Sequence, residues 1–281
     1  MSERPVASGA ATVRDPSRPL PLLRGAREVF ALTFEGFVWG KRSLLMGVLL
    51  GLPLLFAILY RAVLFAKLPA RVTGFDLYGV IVTIYDVRNV VPLCGLFFAS
   101  SLVAEEVEGR TLTYLLTRPI QRASILLGKF AAYLVTSLVF VWPVTVLTFF
   151  LLATGRGSEA FSARASVLVQ DLGVLALALV AYGALFTLVG VLVKRPVIPG
   201  LLFLYVWELV GRLPGYLPRF TLTAYLQSLL SHRPAEEGLS QLLGQVILGT
   251  GESLLSLALA TVLFLALAFW IFSGREYVME Q

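Results

Sequence analysis

The run Phe97-Phe98-Ala99-Ser100-Ser101-Leu102-Val103-Ala104-Glu105-Glu106-Val107-Glu108-Gly109-Arg110-Thr111-Leu112-Thr113-Tyr114-Leu115-Leu116-Thr117-Arg118-Pro119-Ile120 decides how the rest of the chain is read. An apolar span leaves the bilayer straight into an acidic cluster. Gly-Arg-Thr-Leu follows, then a short leucine-bearing amphipathic segment and an Arg-Pro turn. After one more basic turn, Ser124 to Lys129 lead into the next apolar span. A patterned hook between two spans suits a membrane protein that takes a mechanical push from a soluble partner. One that only sat in lipid would have little use for it.

The composition places the hook in a membrane protein. Hydrophobic residues are 58% of the 281 and charged residues only 14%, with a mean hydropathy of +0.84. A soluble domain carries roughly 25% charged residues. The formal charge of +6 sits in short loops beside apolar runs, a distribution that fits membrane orientation rather than a nucleic-acid stripe. One cysteine (Cys94) and one histidine (His232) exclude a disulfide framework and leave too few ligands for a zinc or iron site.

Residues 1–23 are polar and carry Pro5, Pro16, Pro19 and Pro21, with no apolar stretch behind a basic start. They read as a disordered cytoplasmic tail rather than a signal peptide. Leu22, Ala26, Phe30, Phe34 and Phe37 then recur about once per helical turn, with Arg24, Arg27, Glu28 and Glu35 on other faces. This predicts an amphipathic helix lying along the membrane surface.

Six spans follow, at roughly 44–65, 88–104, 128–153, 168–193, 197–213 and 253–272. Each approaches the ~20 residues that cross ~30 Å of hydrocarbon. Pro92, Pro143, Pro196 and Pro199 mark kinks or helix starts, which neighbouring helices accommodate. With both termini inside, 14 Lys and Arg fall on the inner side and 9, Arg88 among them, on the outer side. The positive-inside rule therefore puts the Glu105–Lys129 hook in the cytoplasm. On the outer side, apolar stretches around Leu222–Leu230 and Leu239–Leu248 predict short re-entrant or interfacial helices. Nothing reads as a second, soluble domain.

Few residues carry a chemical signature. Glu105-Glu106 with Arg110 matches the Glu-Glu-x-x-x-Arg element of CAAX-type intramembrane proteases. Those enzymes need two further histidine motifs, and a chain with His232 alone, Ser228 before it and Glu236 after it, builds neither. His232 reads as a solvated loop residue. Gly36 to Lys41 falls short of a phosphate loop: three residues separate the glycines and Arg42 stands where Ser or Thr would bind magnesium. ATP and magnesium must then be handled by another polypeptide. Glu208 is the acidic residue most nearly inside a span, a candidate intramembrane polar site. Arg212, four residues later on the same face, offers the plainer account of an ion pair. Asp171 reads as an interfacial anchor, and Trp39, Trp142, Trp207 and Trp270 as a belt near span ends. Gly47-x-x-x-Gly51 would let two helices approach closely.

The run from Ala104 to Ile120, continued by Arg122, Ser124, Ile125, Leu126, Leu127, Gly128 and Lys129, resembles permease subunits of ABC-2-type transporters. Their pattern is an acidic pair, Gly-Thr-Leu, two leucines, a proline in a basic turn, then Gly-Lys opening the third span. Here Arg110 intervenes between Gly109 and Thr111. The resemblance implies an all-α integral membrane protein in which residues 24–281 form one ABC-2-type permease domain. Its elements would be an N-terminal amphipathic helix, six transmembrane helices, a cytoplasmic coupling helix and outer re-entrant helices.

It further implies an ATP-driven exporter in a plasma or inner membrane, with a separate cytoplasmic ATPase and a second permease subunit as partners and lipid around them. The coupling helix would carry Glu105, Glu106, Glu108, Gly109, Thr111, Leu112, Leu115, Leu116 and Pro119. Val107, Leu112, Leu115 and Leu116 would supply its apolar contact, and the glutamates would pair with basic groups or fix the bend. An intramembrane enzyme using Glu105, Glu106 and Arg110, or a scaffold recruiting a soluble partner without transport, are the alternatives.

Overall fold

The computed structural model describes residues 22–38, 41–66, 73–102, 122–153, 158–193, 195–210, 217–232 and 249–274. Among them there is helix and no strand. The elements are α1 (Leu22–Val38), α2 (Lys41–Phe65), α3 (Gly74–Ala99), α4 (Arg122–Ala153), α5 (Ser158–Leu192), α6 (Val197–Val210), a 3-10 turn at Leu217–Phe220, α7 (Leu222–Leu229) and α8 (Thr250–Gly274). Five helices, α2 to α5 and α8, are long and apolar enough to cross a membrane. The chain is a multi-pass, all-α membrane protein.

Burial separates the helices into a centre and a surround. Most of α5 and α3 is buried inside the bundle, whereas α2 and α8 turn most of their side chains outward. Leu44, Val48, Leu255, Leu259 and Val262 are each at least two-thirds exposed. In water such a surface would be unfavourable, but against lipid tails it has no penalty. The buried core runs from Met46 and Leu50 on α2 through Phe98 on α3 and Tyr133 on α4 to Leu175, Tyr182 and Phe186 on α5.

The amphipathic stripe of α1 is present and turns inward. Val29 and Phe37 are buried, Phe30 and Phe34 stack at 5.8 Å, and Arg27 and Glu35 are exposed. The helix packs along α4, and Phe37 reaches Phe98 of α3 at 5.1 Å. Ser43 donates to the carbonyl of Phe37 and fixes the elbow into α2.

The second crossing differs from the sequence expectation of 88–104. It starts at Gly74, because Thr73 caps it: Asp76 N–H donates to Thr73 Oγ1 at 3.2 Å. Arg88 therefore lies midway along α3 and not at an outer edge. The charges at Asp86 and Arg88 interrupt the apolar run, yet Asp86 is only 3% exposed. A polar group that faces the bundle interior lowers the hydropathy of a span without shortening it.

Within α3 the hydrogen-bond ladder alternates. Gly74–Val80 is α-helical, Ile81–Val90 π-helical, Val91–Cys94 α-helical again and Gly95–Ala99 π-helical. Pro92 lies at the changeover, where its missing N–H makes a shifted ladder less costly.

The crossing expected at 197–213 is present as α6, 14 residues long. That is about 21 Å, short of a full hydrocarbon thickness. Of the outer helices, Leu222–Leu230 matches α7, and Leu239–Leu248 lies outside the described residues. Among the described residues nothing lies within 4 Å of a Cβ placed on Gly47 or Gly51, so no described helix uses their close-approach face. Trp142 lies well inside α4 and is 41% exposed, a mid-span rather than a belt position, while Trp270 sits near the end of α8.

Candidate functional site

The hook itself lies outside the described residues, and with it Glu105, Glu106, Glu108, Gly109, Thr111, Leu112, Leu115, Leu116 and Pro119. So do the side chain of Glu208 and all of Arg212. The two roots of the hook are described, and they are joined. Ser101 and Leu102, just past the end of α3, are buried, and the Lys129 ammonium on α4 donates to the carbonyl oxygen of Leu102.

That contact has a clear physical basis. A buried ammonium needs an acceptor, and a backbone carbonyl supplies one. The Leu102 carbonyl is that acceptor, and Lys129 is only 5% exposed. The fourth crossing, α5, closes against the same root. A Cβ at Gly190 would collide with the backbone carbonyl of Ser100, so only glycine lets α5 approach α3 this closely.

The opposite end of the bundle gathers the ionisable groups. There the start of α3 meets the end of α4, with Gly74 against the carbonyl of Leu152. Asp171 on α5 is fully buried, and His232 Nε2 approaches its Oδ2 at 3.2 Å. The His232 ring lies edge-on to Phe75 at 4.9 Å and to Tyr78 at 5.5 Å. It also covers Gly79, where a Cβ would stand 2.7 Å from Nδ1. Thr83 Oγ1 donates to the His232 carbonyl at 3.1 Å. The Tyr78 hydroxyl lies beside the Asp171 carboxylate, and among the described residues His232 Nε2 has no aligned hydrogen-bond partner.

Two sequence readings are corrected here. His232 is not a solvated loop residue: its side chain is 10% exposed and seated among α3 and α5. Asp171 is not an interfacial anchor, since it faces inward with no exposure. Neither contact has a local signal, because both join residues far apart in the chain. The capping pair Thr73 and Asp76 was the readable sign that α3 begins early enough to bring Tyr78 here.

Between the two ends, α3 carries further polar groups. The Tyr85 hydroxyl donates to the carbonyl of Leu49 on α2 at 2.6 Å, and on the exposed side Asn89 Nδ2 donates to the carbonyl of Ile84 at 2.7 Å. Inside the bundle, the hydroxyls of buried Thr136, Thr148 and Thr187 have no partner among the described residues. Such an interior can re-pair its hydrogen bonds as helices shift. Among the described residues no three His, Cys, Asp or Glu side chains cluster as a metal site would require.

Residues 80–277 match the family model described as "ABC-2 family transporter protein". The chain belongs to this family. The match begins inside α3, crosses the hook and both polar ends, and runs past the end of α8. No curated protein gives a significant match. As an ABC-2 permease the chain is the membrane-spanning part of a transporter, and its family works with an ABC ATPase. The tie between Leu102 and Lys129 lies at the two ends of the segment on which the resemblance rests.

Proposed function

We propose that this ABC-2 permease is the transmembrane half of an ATP-driven exporter, with Glu105–Thr117 as the helix that couples it to a separate cytoplasmic ATPase. The observation that carries the reading is the Lys129–Leu102 contact, which holds the roots of α3 and α4 together. A force delivered to the hook would reach both helices at once, and through Gly190 also α5. Rigid helices pivoting as a set are a known way of switching access between two sides.

In this reading two copies of the permease pair in the plasma or inner membrane with both termini and the hook in the cytoplasm. ATP and magnesium bind the ATPase, and this chain supplies no catalytic group. Val107, Leu112, Leu115 and Leu116 seat in a groove of the ATPase, and Glu105, Glu106 and Glu108 pair with basic groups at its rim. Pro119 ends the segment. Glu208 on α6 is a candidate polar contact for the transported molecule.

The test is co-purification in detergent of this chain with the ATPase encoded beside it, comparing the natural sequence with Leu115→Asp. The reading expects a stable complex that hydrolyses ATP, lost on Leu115→Asp while the permease stays folded. Docking that survives this substitution with full turnover would remove the hook from its assigned role.

A further inference from the structure

We infer that the open stripe of α3, with Arg88 and Asn89 at its middle, binds an amphiphile that bears an anionic head group. That this amphiphile is the cargo rests on the transport reading; that it binds does not.

Most of α3 is buried, and the residues that stay open fall on one line. From Val80 toward the hook they are Val80, Ile84, Arg88, Asn89, Leu93 and Phe97, with Val80 43% and Ile84 41% exposed and the others half-buried. Spacings of four and five residues keep them on a single face, because the ladder between Ile81 and Val90 is π-helical. Asn89 Nδ2 donates to the Ile84 carbonyl at 2.7 Å, which fixes those two residues side by side and Arg88 next to them. Tyr85 flanks the stripe and ties it to α2 through the Leu49 carbonyl.

Arg88 is the chemically decisive member. It stands near the middle of a 26-residue crossing helix, so its guanidinium lies far from either head-group layer. A cation at that depth is unfavourable against hydrocarbon alone, and such side chains face a polar path or an anion. Asp86, two residues earlier, is on the opposite, buried side and is 3% exposed. The neighbouring helix α2 contains no acidic residue. Arg88 already makes an interaction within the chain, and its planar fork of five N–H donors has capacity for the oxygens of a phosphate or carboxylate as well. Above and below this polar middle the stripe is apolar, with Val80 and Ile84 on one side and Leu93 and Phe97 on the other. Charge complementarity therefore selects an anionic group attached to a hydrocarbon body. A second copy seated face to face on the stripe would set Arg88 against its own counterpart across the two-fold axis, and like charges there repel.

The test uses the purified full chain in dodecyl maltoside with a reporter, Ile84→Cys, one turn from Arg88. Cys94 is 1% exposed, and the labelling rate of the chain without the reporter is subtracted. A neutral maleimide labels the reporter in the presence of dodecyl phosphate, dodecyltrimethylammonium or inorganic phosphate. Dodecyl phosphate should slow labelling about tenfold, and the other two should leave it nearly unchanged. With Arg88→Gln the concentration of dodecyl phosphate needed for half-protection should rise about tenfold or more, and with Arg88→Lys by less.

Equal protection by the anionic and cationic amphiphiles overturns the proposal, as does protection that Arg88→Gln leaves unchanged. Inorganic phosphate that protects as well as dodecyl phosphate removes the amphiphile from it and overturns it equally. A reporter that cross-links to a second copy and responds to no probe gives the stripe to a subunit contact instead. Should Arg88→Gln fail to fold, the ranking of the three probes on the chain with Arg88 intact still decides. None of these readings involves the ATPase, so failure here leaves the coupling role of the hook standing, and loss of that role leaves the binding result standing.

Discussion

The ammonium of Lys129, in the first turns of α4, donates to the carbonyl of Leu102, three residues past the end of α3. The hook between them begins and ends at one buried point. This relationship gives the first prediction. Lys129→Met keeps the length and apolar stem but removes the donor to the buried Leu102 carbonyl, at a cost of about 1.5–3 kcal/mol for a charged hydrogen bond lost in a buried site. Thermal unfolding in detergent should fall by several degrees, with Lys129→Arg intermediate. An unchanged midpoint for Lys129→Met would show that the tie does not hold the roots.

Gly190 gives the second. A methyl group there would meet the backbone of Ser100, which cannot rotate away as a side chain could. Gly190→Ala should therefore destabilise by roughly 1–3 kcal/mol, although alanine is the better helix former. Stability equal to or above that of the natural chain would mean α3 and α5 are not in contact at this height.

The Tyr85 hydroxyl reaches across to the Leu49 carbonyl on α2 at 2.6 Å. Tyr85→Phe removes that bond and almost no volume. The expected loss is about 1 kcal/mol, read from unfolding of the purified protein. Tyr205→Phe, the same change at an exposed position of α6, serves as the comparison for generic effects.

Gln170 makes two contacts with the outer segment, one to the Leu229 carbonyl and one to Ser231. Gln170→Leu cuts both at once. Amide hydrogen exchange across residues 222–232 should rise by about an order of magnitude, since local opening is governed by such tethers. Exchange confined to its natural level would assign the retention of this segment to α7 packing alone.

The sequence made the bundle legible because lipid demands long apolar helices, and five of those appear near the expected places. α3 was misread at its start. Asp86 and Arg88 lower local hydropathy, and only the fold reveals that Asp86 points inward. The small signal at Thr73 and Asp76, a helix start, was present in the sequence and outweighed by the charges. At the hook, the Gly128-Lys129 pair was visible as part of a pattern, but its task was not, because a contact between residues 27 positions apart has no periodicity. Asp171 and His232 were each read from their neighbours in sequence, as an anchor and a loop residue. Their meeting depends on how the 217–232 segment folds back, which no window of local sequence contains.

The alternating ladder of α3 has one more consequence, which concerns phase. From Ile81 to Val90 the hydrogen bonds reach five residues back, and so does the Asn89 side chain to Ile84. Along this stretch residues five apart share a face, whereas on either side of it residues three or four apart do. A helical wheel drawn from Tyr78 at a uniform 100° per residue therefore slips out of register by Val90. Any cysteine or tryptophan scan of this helix has to be indexed segment by segment, through all four stretches of the ladder. Fitted to a single period, such a scan would place lipid-facing positions in the interior and interior positions in the lipid.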